Sequence, residues 1–292
     1  LIFALLVGGL AVKAAMVPLH GWLPRAMVAP APVSALLHAV AVVKAGAFGI
    51  LRVIYDLYGI ELSVELGVTT VLAVAASITI IYGSLRAIAQ EELKPRLAFS
   101  TISQVSYVVL GVSLFGPFGT IGALAHLLHQ GLMKVTLFFC AGNYAEELGI
   151  HRLDEMDGAG KRMPLTSLAF TVGALGMIGL PPTAGFITKW YLGMGAIEAD
   201  MYWVVAVLVA SSTLNAIYFL PIVHRLWFRE GPAHGKGQWP KEQSLGRLET
   251  HGWLLWPAVL TAVISIGAGL LAGLPFSPLD WATRVAVGEY LP

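Results

Sequence analysis

Thr120–Ala145 reads TIGALAHLLHQGLMKVTLFFCAGNYA. The segment is apolar and long enough to cross a bilayer core, which takes roughly 20 residues of helix. Yet it contains His126, His129, Gln130 and Lys134. At about 100° per residue, His126, Gln130 and Lys134 drift slowly round one helix face, with His129 beside them. An ammonium at bilayer depth costs about 2.5 kcal/mol or more. The same conflict recurs at Lys13, at Lys44 within Pro32–Tyr55, and at Lys189, each set in a long apolar stretch. One such lysine could be accidental; four in a chain of 292 residues point to a pathway for charge.

Composition agrees. The chain is 57% hydrophobic and 12% charged, with a mean hydropathy of +0.76, against about 25% charged residues in an average soluble domain. This predicts an all-α integral membrane protein. The longest polar stretch, Arg229–His251, has no apolar periodicity, so no separate soluble domain is expected. Cys140, the one cysteine, lies in an apolar run, which excludes a disulfide framework or an iron–sulfur site within the chain. The net charge of +1 selects no partner. The chain begins without Met in the apolar run Leu1–Val12 and lacks the features of a signal peptide. The expectation is therefore the later part of a longer protein.

Hydropathy predicts about eight membrane passages, at roughly 1–28, 33–55, 66–88, 97–115, 119–146, 164–196, 202–228 and 252–274. Two are irregular. Pro164–Ala196 would be about 50 Å long as a straight helix, and Gly179-Leu180-Pro181-Pro182-Thr183-Ala184-Gly185 interrupts it. The first passage is interrupted near Met16-Val17-Pro18. Proline removes a backbone donor and glycine lowers the cost of irregular dihedrals. Pro18, Pro181, Pro182 and Gly185 thus mark two helix breaks, with Lys13 just before one and Lys189 just after the other. Broken helices at membrane depth recur at ion sites.

Eighteen Lys and Arg occur, and fourteen remain once the four intramembrane lysines are set aside. Twelve of them fall in loops on one side (Arg25, Arg86, Lys94, Arg96, Arg152, Lys161, Arg162, Arg225, Arg229, Lys236, Lys241 and Arg247), leaving Arg52 and Arg284 on the other. The positive-inside rule then puts the loops around 94, 155 and 240 in the cytoplasm and the C-terminus outside. The expected location is the inner (cytoplasmic) membrane.

Imidazole exchanges protons near neutral pH, and His126, His129 and Lys134 together can form a proton relay. The competing reading is that these side chains only hydrogen-bond neighbouring helices; an ammonium is a costly way to do so. His38 and Lys44 share the second passage but point about 120° apart, so each faces a different neighbour. Ser100, Ser103, Gln104 and Tyr107 share one face of the fourth passage and could lead water inward, although Ser and Gln are also common between packed helices. Lys94 stands at a membrane edge, where a snorkelling anchor is the ordinary explanation. His20 and Trp22 read as interfacial anchors and His151–Arg162 as a solvated turn. No phosphate loop, nucleophile–base pair or metal cluster stands out, and the His126-x-x-His129 pair lacks a third ligand nearby. The expectation is no cofactor, no metal, no catalytic residue and no nucleic-acid partner.

Val17-Pro18-Leu19-His20-Gly21-Trp22-Leu23-Pro24, followed by Ala29-Pro30-Ala31-Pro32-Val33-Ser34-Ala35-Leu36-Leu37-His38, resembles the signature of antiporter-like subunits. Such subunits occur in respiratory complex I, Mrp cation/proton antiporters and membrane-bound hydrogenases. Glu92–Gln104 and Gly179–Lys189 are similar to two more motifs of the family, and the resemblance covers essentially the whole chain. It implies helices seven to fourteen of a fourteen-helix fold built from two inverted five-helix repeats, each with one broken helix. Residues 1–64 would end the first repeat, 65–228 would be one complete five-helix repeat with its broken helix at 164–196, and 229–292 would be a cytoplasmic loop and the last transmembrane helix. The resemblance matches Lys13 to the lysine of the first broken helix, Lys44 to the lysine of the next, Lys134 to the central lysine and Lys189 to the residue after the second break. The partner glutamate would lie upstream of Leu1. Met27, Phe99 and Ser106 depart from the residues common in relatives (His, Tyr and Gly), and Lys189 argues against the branch with glutamate there. The wording of Gly179–Leu192 is most similar to the D-type Mrp subunit.

The expected function is proton translocation, with Na⁺ exchanged, by a subunit that works with other membrane subunits of one complex. Protons would pass Lys94, Ser103 and Gln104, then Lys134 with His126 or His129, and reach Lys189. The alternatives are a proton-pumping subunit of complex I or a membrane-bound hydrogenase, a non-conducting structural subunit, and a stand-alone solute transporter.

Overall fold

The computed structural model describes residues 1–231, 239 and 249–290, all within helices and their connections. Lys236, Lys241 and Arg247, used above in the count of basic residues, lie outside the described residues.

Lipid offers no hydrogen bonds, so a spanning backbone has to satisfy its own, and helices do this within one segment. Helix α1 (Ile2–Lys13) and the short α2 (Trp22–Arg25) flank an irregular stretch, and α3 (Ala31–Ala39), α4 (Val42–Arg52) and α5 (Ile60–Glu65) follow. Next come α6 (Val68–Ile88), α7 (Leu93–Val112), the long α8 (Pro117–Leu148) and the single turn α9 (Ala159–Arg162). Helices α10 (Pro164–Ile178) and α11 (Ala184–Glu198) are the two halves of one passage. Then come α12 (Tyr202–Phe228), α13 (Gly252–Leu270) and α14 (Pro278–Tyr290).

Among the described residues, five stretches are long and apolar enough to cross a membrane: 31–58, 68–88, 117–148, 202–228 and 252–270. The 20-residue α7 and the two split passages, α1 with its irregular continuation and α10 with α11, bring the number of passages to the expected eight. Prolines lie at helix starts in α3, α8 and α10, where the missing donor costs little. Pro221 and Pro257 lie inside α12 and α13 without splitting them.

Both breaks rely on close backbone contact. A Cβ at Gly185 would stand 1.9 Å from the carbonyl oxygen of Gly176, so only glycine lets the start of α11 lie against the end of α10. At the first break a Cβ on Gly46 of α4 would stand 2.3 Å from the backbone nitrogen of Ala14.

Two features lie outside the sequence-based expectation. The second passage is itself interrupted: the amides of Val40 and Ala41 both donate to the Leu36 carbonyl, at 3.2 and 2.9 Å, and α4 starts afresh at Val42. It continues as a π-helical segment, Val53–Tyr58. The run Val40-Ala41-Val42 holds no Pro or Gly, so nothing in it announces a break. The second feature is α14, which packs beside α8 through Ala282 and Ala286 against Ile121 and Ala125.

Helix α8 is the axis of the molecule, with α3, α7, α10, α11, α13 and α14 packed round it. The basic loops gather at one end. There Arg152 pairs with Glu91 and Asp154, and Arg225 and Arg229 share Asp157. The hydrogen bond from Arg152 holds the exposed Asp154 carboxyl below the usual carboxylate range. Arg96, counted above with the loops, is in fact buried; it donates to the carbonyls of Ile88, Gln90 and Tyr218.

Candidate functional site

Lys134 is fully buried at the centre of α8. Its Nζ donates to the Leu97 carbonyl at 3.0 Å and to the Ser100 hydroxyl, both in the early turns of α7, and lies 6.0 Å from the centroid of the Phe219 ring. Towards the N-terminus of α8 the same helix presents Gln130, His129 and His126, all fully buried. Nδ1 of His126 meets the Thr188 hydroxyl of α11 at 3.0 Å. The Tyr107 ring lies 5.2 Å from the His126 ring and 5.5 Å from Lys189 Nζ, so it stands between the two.

Lys189 is half-buried at the second break. Its ammonium donates to the last carbonyls of α10, Met177 at 3.1 Å and Ile178 at 2.7 Å, and to the Ser212 hydroxyl at 3.0 Å. Cations are favoured at a helix C-terminus, where carbonyls lack intrahelical donors. Lys44 is buried just after the interruption between α3 and α4, and its Nζ donates to the Leu127 carbonyl of α8 at 2.5 Å. It lies within electrostatic reach of His126, His129 and Lys134. His38 packs on Phe138, ring centroids 4.9 Å apart, within electrostatic reach of Lys134. The structure thus brings Lys44, Lys134, Lys189, His38, His126 and His129 into one buried row.

Among the described residues no carboxylate pairs with Lys44, Lys134 or Lys189. Carbonyls and hydroxyls accept from their Nζ groups instead. Around them both ring nitrogens of His38 and the side-chain amides of Gln104 and Gln130 are buried without a hydrogen-bond partner. A buried polar atom left unpaired costs about 1–3 kcal/mol. Polar groups gathered in this way are the usual seat of internal water. Lysines held in place beside exchangeable imidazole and hydroxyl protons can pass a proton along the row.

Other residues singled out from the sequence fall elsewhere. Lys13 is exposed at the end of α1 and does not join the row. Ser103 turns to α6, its hydroxyl 2.9 Å from that of Ser84, whereas Ser100 is the α7 hydroxyl that meets Lys134. Lys94 donates to the Ala29 carbonyl at 3.0 Å and lines a cleft of about 650 Å³ with Arg25, Met27, Glu92 and His151. Pro18, Pro181 and Pro182 lie exposed at the breaks, and Gly185 is buried. Sequence reasoning gave α12 no part in the site, although its Ser212, Asn215, Tyr218 and Phe219 reach it. Ser211, Asn215 and Tyr218 recur at one-face helical spacing in an otherwise apolar run, which is the signal that could have found them.

Fold and site together define a multi-pass, all-α membrane protein with lysines and histidines buried in its core. The chain belongs to the NADH:quinone oxidoreductase/Mrp antiporter transmembrane family, whose pattern matches residues 1–215. It is 40% identical to NADH-quinone oxidoreductase subunit N of Desulforudis audaxviator over 91% of its own length and 53% of that protein. Hydrogenase-4 component B of Escherichia coli is 39% identical over 65% of this chain and 30% of that protein. In structure, a chain of the Mrp complex from a Dietzia species superposes with a TM-score of 0.84 and 29% identity, over 99% of this chain and 59% of that one. The chain therefore spans about half, or less, of the length of the relatives it matches. Relatives from respiratory, hydrogenase and antiporter assemblies all match, so the similarity of Gly179–Leu192 to the D-type Mrp subunit singles out no one branch.

Proposed function

We propose that the chain is the later part of a proton-translocating, antiporter-like subunit that works within a multisubunit membrane complex. One observation carries this reading: the buried Lys44 and Lys134, the half-buried Lys189 and three buried histidines share a row without a carboxylate partner among the described residues, amid buried polar side chains. Protons enter along α7 past Gln104, exchange with Lys134 and the histidines, and reach Lys189 at the second break. Coupled titration lets the charge on one lysine alter the proton affinity of the next. The basic loops face the cytoplasm and the C-terminus faces outward, following the positive-inside rule. Residues 65–228 form the complete five-helix repeat and residues 1–64 the end of the other. Mrp-type exchange of Na⁺ for protons is the first form of this activity. The second is redox-driven pumping in a complex I or hydrogenase assembly, favoured by the 40% identity with an NADH-quinone oxidoreductase subunit.

The test is proton translocation by the assembled complex in sealed vesicles, with Lys134→Ala and Lys189→Ala. Loss of translocation with assembly intact is the expected result. Wild-type rates in both variants would turn the chain into a structural subunit. Dependence of the rate on Na⁺ separates the two forms.

A further inference from the structure

The histidine of helix α12, His224, is exposed near the helix end, yet the helix touches both Lys134 and Lys189. Tyr218 and Asn215 are fully buried. The Tyr218 hydroxyl donates to Asn215 Oδ1 at 2.5 Å, and Asn215 Nδ2 donates to the Met177 carbonyl at 3.0 Å. Lys189 Nζ donates to that same carbonyl at 3.1 Å. On its other side Tyr218 interacts with the Ser100 side chain, whose oxygen receives a hydrogen bond from Lys134. Arg96 holds the Tyr218 backbone, its Nη1 donating to the Tyr218 carbonyl at 3.0 Å.

We infer that Tyr218 and Asn215 are positioning residues that couple Lys134 to Lys189 through α12, a connection separate from the histidines of α8. The inference rests on the relay proposed above. Its logic is the switching of hydroxyl direction. While Lys134 is charged, its ammonium occupies a lone pair of Ser100, and the Ser100 proton points to the Leu97 carbonyl, 2.9 Å away. Tyr218 then donates to Asn215. Once Lys134 gives up its proton, its neutral amine accepts from Ser100 instead. The Ser100 oxygen, no longer shared with an ammonium, then has both lone pairs open and becomes the stronger acceptor for the Tyr218 hydroxyl. As Tyr218 turns from Asn215 to Ser100, the Asn215 amide loses the bond that orients it, and its grip on the Met177 carbonyl loosens. That carbonyl is left to Lys189, which holds a proton more firmly. Discharge of Lys134 thus favours charge on Lys189, the sign that forward transfer requires. No proton crosses the Asn215 amide; the amide transmits orientation, and the proton itself travels by the hydrated row. A buried polar network of this kind is apportioned by double-mutant cycles.

The experiment compares Tyr218→Phe, Asn215→Leu, the double variant, Lys134→Ala and Lys189→Ala in the assembled complex in sealed vesicles. Tyr218→Phe and Asn215→Leu are each expected to lower proton translocation about tenfold, and the double variant no further than the worse single one. Losses that multiply would mean that Tyr218 and Asn215 act independently and form no connection, and that outcome overturns the inference. So do wild-type rates in both α12 variants when the lysine variants are inactive, a result that leaves the relay standing. Wild-type rates in the lysine variants remove the relay and the inference together. If Tyr218→Phe does not assemble, Ser100→Ala takes its place in the cycle with the same expected non-additivity against Asn215→Leu.

Discussion

Nδ1 of His126 on α8 lies 3.0 Å from the hydroxyl oxygen of Thr188 on α11, and that hydroxyl donates to the Gly185 carbonyl at 3.0 Å. The Thr188 hydroxyl keeps its proton on Gly185 or turns it to Nδ1, so this contact decides which His126 nitrogen carries the ring proton. Thr188 stands next to Lys189 in sequence, so one bond sets both the tautomer of a histidine and the start of the helix that carries the terminal lysine.

Replacing Thr188 by Val keeps the shape and removes the bond. Proton translocation should fall roughly tenfold, equivalent to about 1.4 kcal/mol of barrier, with assembly unchanged. Thr188→Ser should restore most of it, because the hydroxyl returns. Equal rates in the Val and Ser variants would show that the tautomer of His126 does not matter.

Gly185→Ala tests the break itself. The added methyl meets the Gly176 carbonyl oxygen at 1.9 Å, and Met133 Sδ lies 3.3 Å away. Backbone on both sides leaves little to give, and overpacking of a filled interior costs about 1–3 kcal/mol. The expected result is a lower yield of assembled complex and a lower unfolding temperature in detergent. A variant as stable as wild type would mean that α10 and α11 can part without cost.

The sequence announced these breaks because Pro and Gly write themselves into it, as Gly179-Leu180-Pro181-Pro182 does. The interruption at Val40–Ala41 was illegible for the opposite reason: its residues are ordinary helix and strand formers, and tertiary packing on α8 imposes the shift. The lysines were legible because ammonium groups are expensive in lipid. The α12 residues were not, since Asn, Ser and Tyr in a transmembrane helix are as often packing contacts as parts of a site. Ser103 and Ser100 show the same limit. Three residues apart on one helix, they serve different neighbours, Ser84 and Lys134, and only the helix arrangement decides which.

Helix α14 is fastened by its last turn. The Tyr290 hydroxyl accepts from the Gly116 amide at 3.1 Å and lies 3.1 Å from the Thr120 hydroxyl and 3.5 Å from that of Tyr55. Tyr290→Phe should weaken this attachment by about 1 kcal/mol. Amide hydrogen exchange in residues 278–290 should quicken while proton translocation stays at the wild-type rate, because none of these groups touches the lysine row. Unchanged exchange would locate the attachment in the Ala282 and Ala286 contacts instead.

Lys189→Arg separates a cation that only caps a helix from one that exchanges its proton. The half-buried site offers the carbonyls of Met177 and Ile178 and the Ser212 hydroxyl as acceptors, all of which a guanidinium can use. The charge at the end of α10 is therefore kept, and the break should hold. A guanidinium, however, does not give up its proton in proteins. Assembly and thermal stability should match wild type, while proton translocation drops about a hundredfold or more, the scale on which losing a proton-transfer group is felt. Wild-type translocation in Lys189→Arg would mean that the positive charge at the break matters and its exchange does not, leaving Lys189 as the cap of α10 and moving the end of the proton route to another residue.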